Sequence, residues 1–138
     1  MKRRILVSVL LVLVILLGAA CGGRAPAPGQ VADGAFQAIG QGGTVFQFEV
    51  TDPDGAVAGW EVHTDEATVG AALFAVGLIA GIDSEWGLLV TEVNGIPADW
   101  DADQAFWAFY IDGEFALAGA DDTEIEPGVT YAFVYTQG

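Results

Sequence analysis

The fold is decided by the stretch Gln104–Phe115, which reads Gln-Ala-Phe-Trp-Ala-Phe-Tyr-Ile-Asp-Gly-Glu-Phe. Side chains on a β-strand point alternately to its two faces. A strand here would carry Phe106, Ala108 and Tyr110 on one face and Trp107, Phe109 and Ile111 on the other. Because both sets are apolar, the strand is either covered on both sides or uses one face as the floor of a ligand site.

At the N-terminus, residues 1–20 predict a signal peptide. Basic residues precede an almost unbroken apolar run, Ile5–Leu17, and small residues follow it. The run is shorter than the roughly 20 residues that a membrane-spanning helix needs. The sequence Leu17-Gly-Ala-Ala-Cys21 resembles the lipobox of bacterial lipoproteins, in which the cysteine is lipidated and becomes the new N-terminus. The alternative is an ordinary secretory signal, and the export route, general secretory or twin-arginine, stays open.

Cys21 is the only cysteine, so the chain cannot form an internal disulfide. Lipidation would give this thiol a role, because two or more acyl chains are enough for stable anchoring. We therefore expect a lipid anchor at the extracytoplasmic face of the cell membrane. Residues 21–43 combine Cys21 with a stretch rich in Gly, Ala, Pro and Gln, which predicts a flexible tether. The folded domain is then expected to comprise residues 44–138.

Charge is divided sharply along the chain. All four basic residues precede residue 25, and all 19 acidic residues follow residue 32. Without residues 1–20, one basic and 19 acidic residues remain, a formal charge of −18. Phosphate binding needs Lys and Arg, so nucleic acid and anionic lipid are poor partners. The acidity indicates either solubility in a salty exterior or cation binding.

The rest of the domain predicts strands around one helix. A strand at Thr44–Thr51, a turn at residues 52–55 and a second strand over about residues 59–64 form a hairpin. Thr68 as N-cap and apolar residues at helical spacing predict a helix over residues 69–76 that ends at Gly77. This is the only helix predicted after the signal peptide. The remaining predictions are strands at residues 87–93, 114–118 and 129–136, an Asn94-Gly95 turn, and a polar connection over residues 96–103.

The order of these pieces resembles a bacterial family, DUF4430, over about residues 44–137. The resemblance is carried by Thr68-Val-Gly-Ala-Ala-Leu73, Gly77-Leu-Ile79, Gly87-Leu-Leu-Val90, Val93-Asn-Gly-Ile96, Phe106-Trp-Ala-Phe-Tyr110, Gly113-Glu114, and Gly128 before Tyr131. DUF4430 is similar to the C-terminal β-domain of transcobalamin and intrinsic factor. The resemblance implies an α+β fold, with a β-grasp-like mixed sheet holding one helix, exported and attached to the cell surface.

The resemblance also implies where a ligand would bind. In the animal carriers the similar domain closes over one face of a corrinoid, while a helical barrel with no counterpart in this sequence covers the other. The implied binding residues are Asn94, Gly95, Trp100, Trp107, Tyr110 and Asp112. The family usually has Asn where Asp112 stands, and Asp keeps the turn but adds charge. Core packing is the alternative role for Trp107 and Tyr110, and lid packing is the alternative for Trp100.

Catalysis and metal binding are not expected. After the signal peptide the chain has one serine, Ser84, one histidine, His63, and no lysine, and no nucleophile elbow surrounds Ser84. Nineteen carboxylates make no single acid pair informative. Asp99-x-Asp-x-Asp103 begins like a calcium loop, but Gln104 replaces the required Gly and Tyr110 the bidentate Glu. We therefore expect neither an enzyme nor a metal protein.

The sequence predicts a lipid-anchored binding protein outside the cell. The first hypothesis is capture of a small, corrinoid-like ligand near Trp100 and Trp107. The alternative is docking of a transporter or another surface protein, with no small-molecule ligand. A concave aromatic pocket would favour the ligand, whereas a flat apolar patch or an exposed sheet edge would favour a protein partner.

Overall fold

A computed structural model describes residues 36–138. The predicted signal peptide, the predicted lipidation site Cys21, and residues 22–35 of the predicted tether lie outside the described residues. No helix within residues 36–138 is both long enough and apolar enough to cross a membrane.

Within residues 36–138, nine strands form two sheets. In chain order they are β1 Gln37–Gly40, β2 Thr44–Thr51, β3 Val57–Thr64, β4 Ile79–Ser84, β5 Gly87–Val93, β6 Ile96–Pro97, β7 Ala105–Ile111, β8 Glu114–Phe115 and β9 Thr130–Gln137. The larger sheet has the strand order β1-β3-β2-β9-β7-β8, and the smaller has the order β4-β5-β6. The larger sheet is mixed, because β1 runs parallel to β3 and β9 runs parallel to β2.

One main helix, α1 (Val69–Ala75), packs against the larger sheet. The Thr68 side chain caps its start by accepting a hydrogen bond of 3.3 Å from the Ala71 amide. The chain leaves the helix at Gly77, whose φ of 75° is a conformation that glycine adopts without steric cost. The structure thus confirms the α+β class, with a mixed sheet and one main helix.

The core lies on one side of the larger sheet, which we call the inner face. Each central strand turns alternate side chains toward it, and α1 and the smaller sheet complete it. Its buried members include Phe46, Phe48, Val50, Val62, Val69, Leu73, Leu78, Ile79, Val93, Trp107, Phe109, Tyr131 and Phe133. The rings interlock, with Phe109 stacked on Tyr131 and Phe133 set edge-on to Phe48. Apolar burial of this kind is the dominant stabilising term in folding.

A loop over residues 119–126 is held across the start of α1. A short 3₁₀ turn, Ala120–Asp122, lies against Gly70 of the helix. A Cβ atom added to Gly70 would lie 2.7 Å from the Asp121 amide nitrogen, so the close approach needs glycine. The Tyr131 hydroxyl accepts a 3.0 Å hydrogen bond from the Glu126 amide and donates a 3.3 Å bond to the Glu124 carbonyl. These hydrogen bonds fix the loop to Tyr131, whose side chain lies on the inner face of the sheet.

Four details of the secondary structure differ from the predictions. The strand predicted over residues 114–118 is only the two-residue β8, Glu114–Phe115. Residues 37–40, expected to belong to the tether, form β1, because their backbone pairs in parallel with Trp60–His63. The connection over residues 96–103 contains β6 and a second, one-turn helix, α2 (Trp100–Asp103). β4, which was not predicted, pairs with β5 as a hairpin. The prediction of a single helix after the signal peptide was therefore wrong.

Candidate functional site

Trp107 is a core residue. Its side chain points to the inner face, is only 6% exposed, and lies edge-on to Tyr135 with ring centroids 5.4 Å apart. Its indole Nε1 donates a 3.1 Å hydrogen bond to the Ile96 carbonyl oxygen, which ties β7 to the smaller sheet. The alternative role considered for this residue, hydrophobic packing, is the one that the structure supports.

The Asn94-Gly95 turn joins β5 to β6 at the end of the smaller sheet. Both residues have positive φ, 50° and 75°, as the predicted tight turn requires. The Asn94 amide donates a 2.8 Å hydrogen bond to the Leu78 carbonyl, and its side chain is exposed. The turn lies on the same side of the molecule as Trp107, because Ile96 bonds the Trp107 indole.

Asp112 performs a structural task at the far end of β7. It has a φ of 48° in the turn between β7 and β8. Its amide donates to the Thr130 carbonyl at 2.8 Å, and its Oδ1 accepts from the Thr130 amide at 2.9 Å. Asp in place of the usual Asn therefore keeps an acceptor that holds the start of β9.

Trp100 stands at the first position of α2. Asp99 caps this helix, since its Oδ1 accepts bonds of 2.8 Å and 3.1 Å from the amides of Asp101 and Ala102. The Trp100 indole is 55% exposed, and its ring centroid lies 6.1 Å from that of Phe106. Trp100 is thus exposed between β6 and β7, beside Phe106 and outside the buried core.

Tyr110 lies on the opposite side of the larger sheet from Trp107, which we call the outer face. Its ring packs edge-on against Phe115, with centroids 5.7 Å apart. Phe106 and Phe115 are 39% and 59% exposed. We define the outer aromatic patch as Trp100, Phe106, Tyr110 and Phe115. Sequence reasoning missed Phe115 as a site residue, although its position directly across the turn from Tyr110 was available as a signal.

The six predicted binding residues therefore do not converge on one site. Asn94, Gly95 and Trp107 cluster at the smaller sheet, whereas Trp100 and Tyr110 belong to the outer aromatic patch. Asp112 is five residues beyond Trp107, about 17 Å along the strand at the usual rise. Alternation along β7 places Trp107 and Tyr110 on opposite faces, and so separates the two groups at this strand.

Short side chains separate the two ring pairs of the outer aromatic patch. Phe106 and Tyr110 are four residues apart, about 13 Å along β7, and Ala108 lies between them. Ala108 pairs with Val134, and Tyr110 pairs with Ala132 on β9. The result is a shallow groove across the strands, with rings at both ends and a floor of Ala108, Ala132 and Val134.

Beyond β9 the outer face also carries two carboxylates, Glu49 and Glu61, whereas the row of Ala108 and Val134 itself continues to Thr51. On β2, Glu49 pairs with Ala132 on one side and Gly59 on the other, so small residues flank its half-buried side chain. Glu61, on β3 of the same face, accepts a 2.8 Å hydrogen bond from the His63 ring Nε2. Residues 36–138 contain 18 of the 19 acidic residues and neither Lys nor Arg. Within the described residues, the outer-face carboxylates therefore have no Lys or Arg to pair with.

A second exposed apolar group lies on the hairpin of β4 and β5. Ile82 and Leu89 pair across the hairpin, and Trp86 at its tip is 86% exposed. The Ser84 hydroxyl shapes the tip by donating to the Gly87 carbonyl at 2.7 Å. Among residues 36–138, no three His, Cys, Asp or Glu side chains are grouped so that they could hold a metal ion.

The family comparison agrees with the order of elements described above. The profile of a domain of unknown function, DUF4430, matches residues 66–137, more than half of the chain. The chain belongs to the DUF4430 family. A search of curated proteins found no match.

Two solved structures share the fold. A protein from Ruminococcus gnavus, named as a candidate metal-binding protein, is 27% identical with a TM-score of 0.66, and the match covers 70% of this chain and 99% of that protein. Haptocorrin, solved in complex with Cbi, is 14% identical with a TM-score of 0.58, and the match covers 68% of this chain. This DUF4430 chain spans only 25% of the haptocorrin chain, and at this identity the likeness concerns the fold alone.

Proposed function

We propose that the chain is a lipid-anchored binding module at the extracytoplasmic face of the membrane, and that its β-grasp-like domain docks a partner protein. The observation that carries the proposal is the outer aromatic patch, where three rings between 39% and 59% exposed lie along one sheet face with Tyr110. Aromatic side chains dominate the energetics of protein interfaces. Several neighbouring aromatic side chains exposed on one face of a small domain are typical of an interaction site.

The geometry favours a protein over a small ligand. The ring pairs are separated by about 13 Å, and they lie on an open sheet surface whose floor is Ala108, Ala132 and Val134. Small-molecule sites are concave and bury most of the ligand. Trp107, the aromatic residue that would have lined such a cavity with Trp100, is committed to the core.

The anchor and the location rest on the sequence. The basic start, the apolar run Ile5–Leu17 and the small residues before Cys21 support a lipoprotein signal peptide. Lipidation of Cys21 would place the membrane contact in the acyl chains rather than in the acidic domain. The proposal includes neither enzymatic activity nor nucleic-acid binding. Residues 36–138 contain no Lys or Arg, the residues that phosphate binding requires, and this supports the second exclusion.

A second candidate is a small ligand of corrinoid type. The shared fold with haptocorrin, whose structure contains Cbi, favours it. In this case the Asn94-Gly95 turn and Trp107 would mark the binding end of the domain, as the family resemblance implies, with Trp100 at its border.

Site-specific photo-crosslinking in the native host tests the proposal. A benzophenone side chain replaces Phe106 or Phe115, and in a matched control it replaces Phe74 on α1, which is 58% exposed against 59% for Phe115. We expect a discrete adduct, identified as one protein by mass spectrometry, at the two patch positions and none at residue 74. Adducts of equal yield at all three positions, or none at either patch position, would reject the docking function.

Isothermal titration separates the second candidate from the first. The full chain in a non-ionic detergent is titrated with cobalamin and with cobinamide at low and high salt. Saturable heat that disappears in Trp100→Ala, together with an absence of patch adducts, would replace protein docking by ligand capture.

A further inference from the structure

The outer face combines two chemically different halves in one surface. Phe106, Ala108 and Tyr110 on β7 face outward beside Val134 and Ala132 on β9. In the row of Tyr110 and Ala132, next to the row of Ala108 and Val134, the paired residue on β2 is Glu49. Neighbouring strands are about 4.8 Å apart, so Glu49 lies about 10 Å from Tyr110 across the sheet.

The environment of Glu49 differs from that of a carboxylate at an exposed turn. Its neighbours on both sides of the row, Gly59 and Ala132, have little or no side chain. The carboxylate is half-buried, and no Lys or Arg exists in residues 36–138 to neutralise it. A half-buried charge next to apolar surface is stabilised most by an opposite charge that arrives with a ligand.

Charge decides which occupant fits. A second copy of this domain would bring another 18 carboxylates without Lys or Arg toward the same face, and like charges in an interface are strongly unfavourable. The same repulsion disfavours an acidic peptide and an anionic membrane. A cationic partner meets a complementary potential, which accelerates its association.

Building on the proposed docking function, we propose that the groove of the outer face binds an extended, basic segment of the partner protein, with an apolar side chain between the ring pairs and a Lys or Arg at Glu49. In an extended peptide, side chains two residues apart share one face and are about 7 Å apart. The length of a Lys or Arg side chain covers the remaining distance. The recognised pattern is therefore apolar, any residue, basic.

The exposed indole of Trp100 offers a contact for a second cation, apart from the one at Glu49. A guanidinium or ammonium group is attracted to the face of an aromatic ring, and Trp is the strongest such ring. Trp100 presents its indole beside Phe106 at the edge of the groove. A second basic residue four positions from the first would face the same way and reach this edge.

Isothermal titration with two synthetic peptides tests the pattern. The probe is Phe-Ser-Lys-Ser-Leu-Ser-Arg, which places its apolar and basic side chains on one face when extended. The control, Phe-Lys-Ser-Ser-Leu-Arg-Ser, has the same composition and charge but turns its basic residues to the other face. The full chain in a non-ionic detergent should bind the probe about tenfold more tightly than the control. In the control, the basic side chains point away from the groove when the apolar side chains face it.

Matched variants of the protein locate the contact. Glu49→Gln should weaken probe binding about fivefold, whereas Glu92→Gln, an equal charge change on the exposed part of β5, should leave it within about twofold. Phe115→Ser should also weaken it, and Trp86→Ser, an exposed ring on the hairpin, should not. Phe115 is exposed, so this variant tests the groove without disturbing the core.

The outcomes separate the recognition chemistry from the docking function. Equal binding of both peptides, or equal losses in Glu49→Gln and Glu92→Gln, would mean general attraction between opposite charges and would overturn the proposed pattern. If patch adducts still form in the crosslinking experiment in that case, docking stands and only the basic segment is rejected. If the adducts are absent as well, both proposals fall.

Discussion

The two faces of strand β7 carry equally apolar side chains but have opposite fates. Trp107 and Phe109 are buried on the inner face under α1 and the smaller sheet, whereas Phe106 and Tyr110 remain accessible on the outer face. The strand itself does not distinguish its faces. The difference arises because the helix and the smaller sheet both pack on the same side of the larger sheet, which leaves the side chains of the other side accessible to solvent.

The largest expected effect contrasts two phenylalanines of β7. Phe109→Ala should lower the free energy of unfolding by about 3–5 kcal/mol, because it empties a volume among packed rings. Phe106→Ala should cost only about 1 kcal/mol, since its ring is already partly in water. Urea denaturation followed by circular dichroism measures both. Similar losses for the two variants would show that the outer ring is as structurally engaged as the inner one.

The second prediction concerns the covering layer of the inner face. Gly70→Ala would push a methyl group against the Asp121 backbone, 2.7 Å away, and so separate α1 from the 3₁₀ turn. Overpacking of this kind costs about 1–3 kcal/mol. The control is Gly43→Ala, where a Cβ would meet only Asp65 Oδ1, at 3.8 Å. Equal stabilities for the two variants in urea denaturation would contradict the close packing of this layer.

The third prediction removes one hydroxyl from the inner layer. Tyr131→Phe keeps the ring but leaves the Glu126 amide without its acceptor, which should cost about 1–2 kcal/mol. Amide hydrogen exchange should then rise within residues 124–126. Unchanged protection of this loop would mean that other contacts hold it.

The same hydroxyl gives stability a dependence on high pH. Burial raises the pKa of Tyr131 above its ordinary value of 10.0, and the charges of Glu126 and Asp112 raise it further, against the opposing effect of the hydrogen bond from Glu126. The folded state therefore prefers the neutral phenol. Its contribution is complete below pH 10 and is lost as the pH rises toward and through the folded-state pKa. Tyr131→Phe should show a smaller loss of stability over this alkaline range in parallel denaturation curves.

The smallest expected effect lies on the outer face. Phe115→Ser should change the free energy of unfolding by no more than about 0.5 kcal/mol, as for other exposed positions, although it removes part of the proposed contact surface. Urea denaturation is the measurement. A loss comparable to that of Phe106→Ala would show that β8 needs the Phe115 ring to stay paired with β7.

The sequence predicted best where alternation and turn chemistry agree. The bounds of β2 and β5 are those predicted, because Asp-Pro-Asp-Gly and Asn-Gly punctuate clear patterns. The capped helix was also predicted, with its end at Gly77. In contrast, β1 contains one large apolar residue, Ile39, and exists through pairing with β3, about twenty residues later in the sequence. Local sequence patterns do not indicate a pairing strand that is distant in the sequence.

The candidate site was less predictable for the same reason. Trp107 and Tyr110 are close in sequence, but they are an odd number of residues apart, and a one-residue shift in strand register would exchange the faces that they occupy. Alternation placed them on opposite faces from the start, whereas it could not say which face α1 would cover. Trp100 was anticipated because flanking carboxylates make deep burial costly. Phe115 was not, because its exposure depends on the shortness of β8.

The hydrogen bond between the Trp107 indole and the Ile96 carbonyl has a practical consequence for optical spectroscopy. The chain has four tryptophans. Trp107 is buried, Trp60 is partly buried beside Phe48, and Trp86 and Trp100 are exposed on different parts of the surface. Replacing Trp60, Trp86 and Trp100 one at a time by Phe would therefore assign the emission of each indole. Loosening of the joint between the sheets would then appear as a red shift from Trp107, and a partner on the outer face as a blue shift from Trp100.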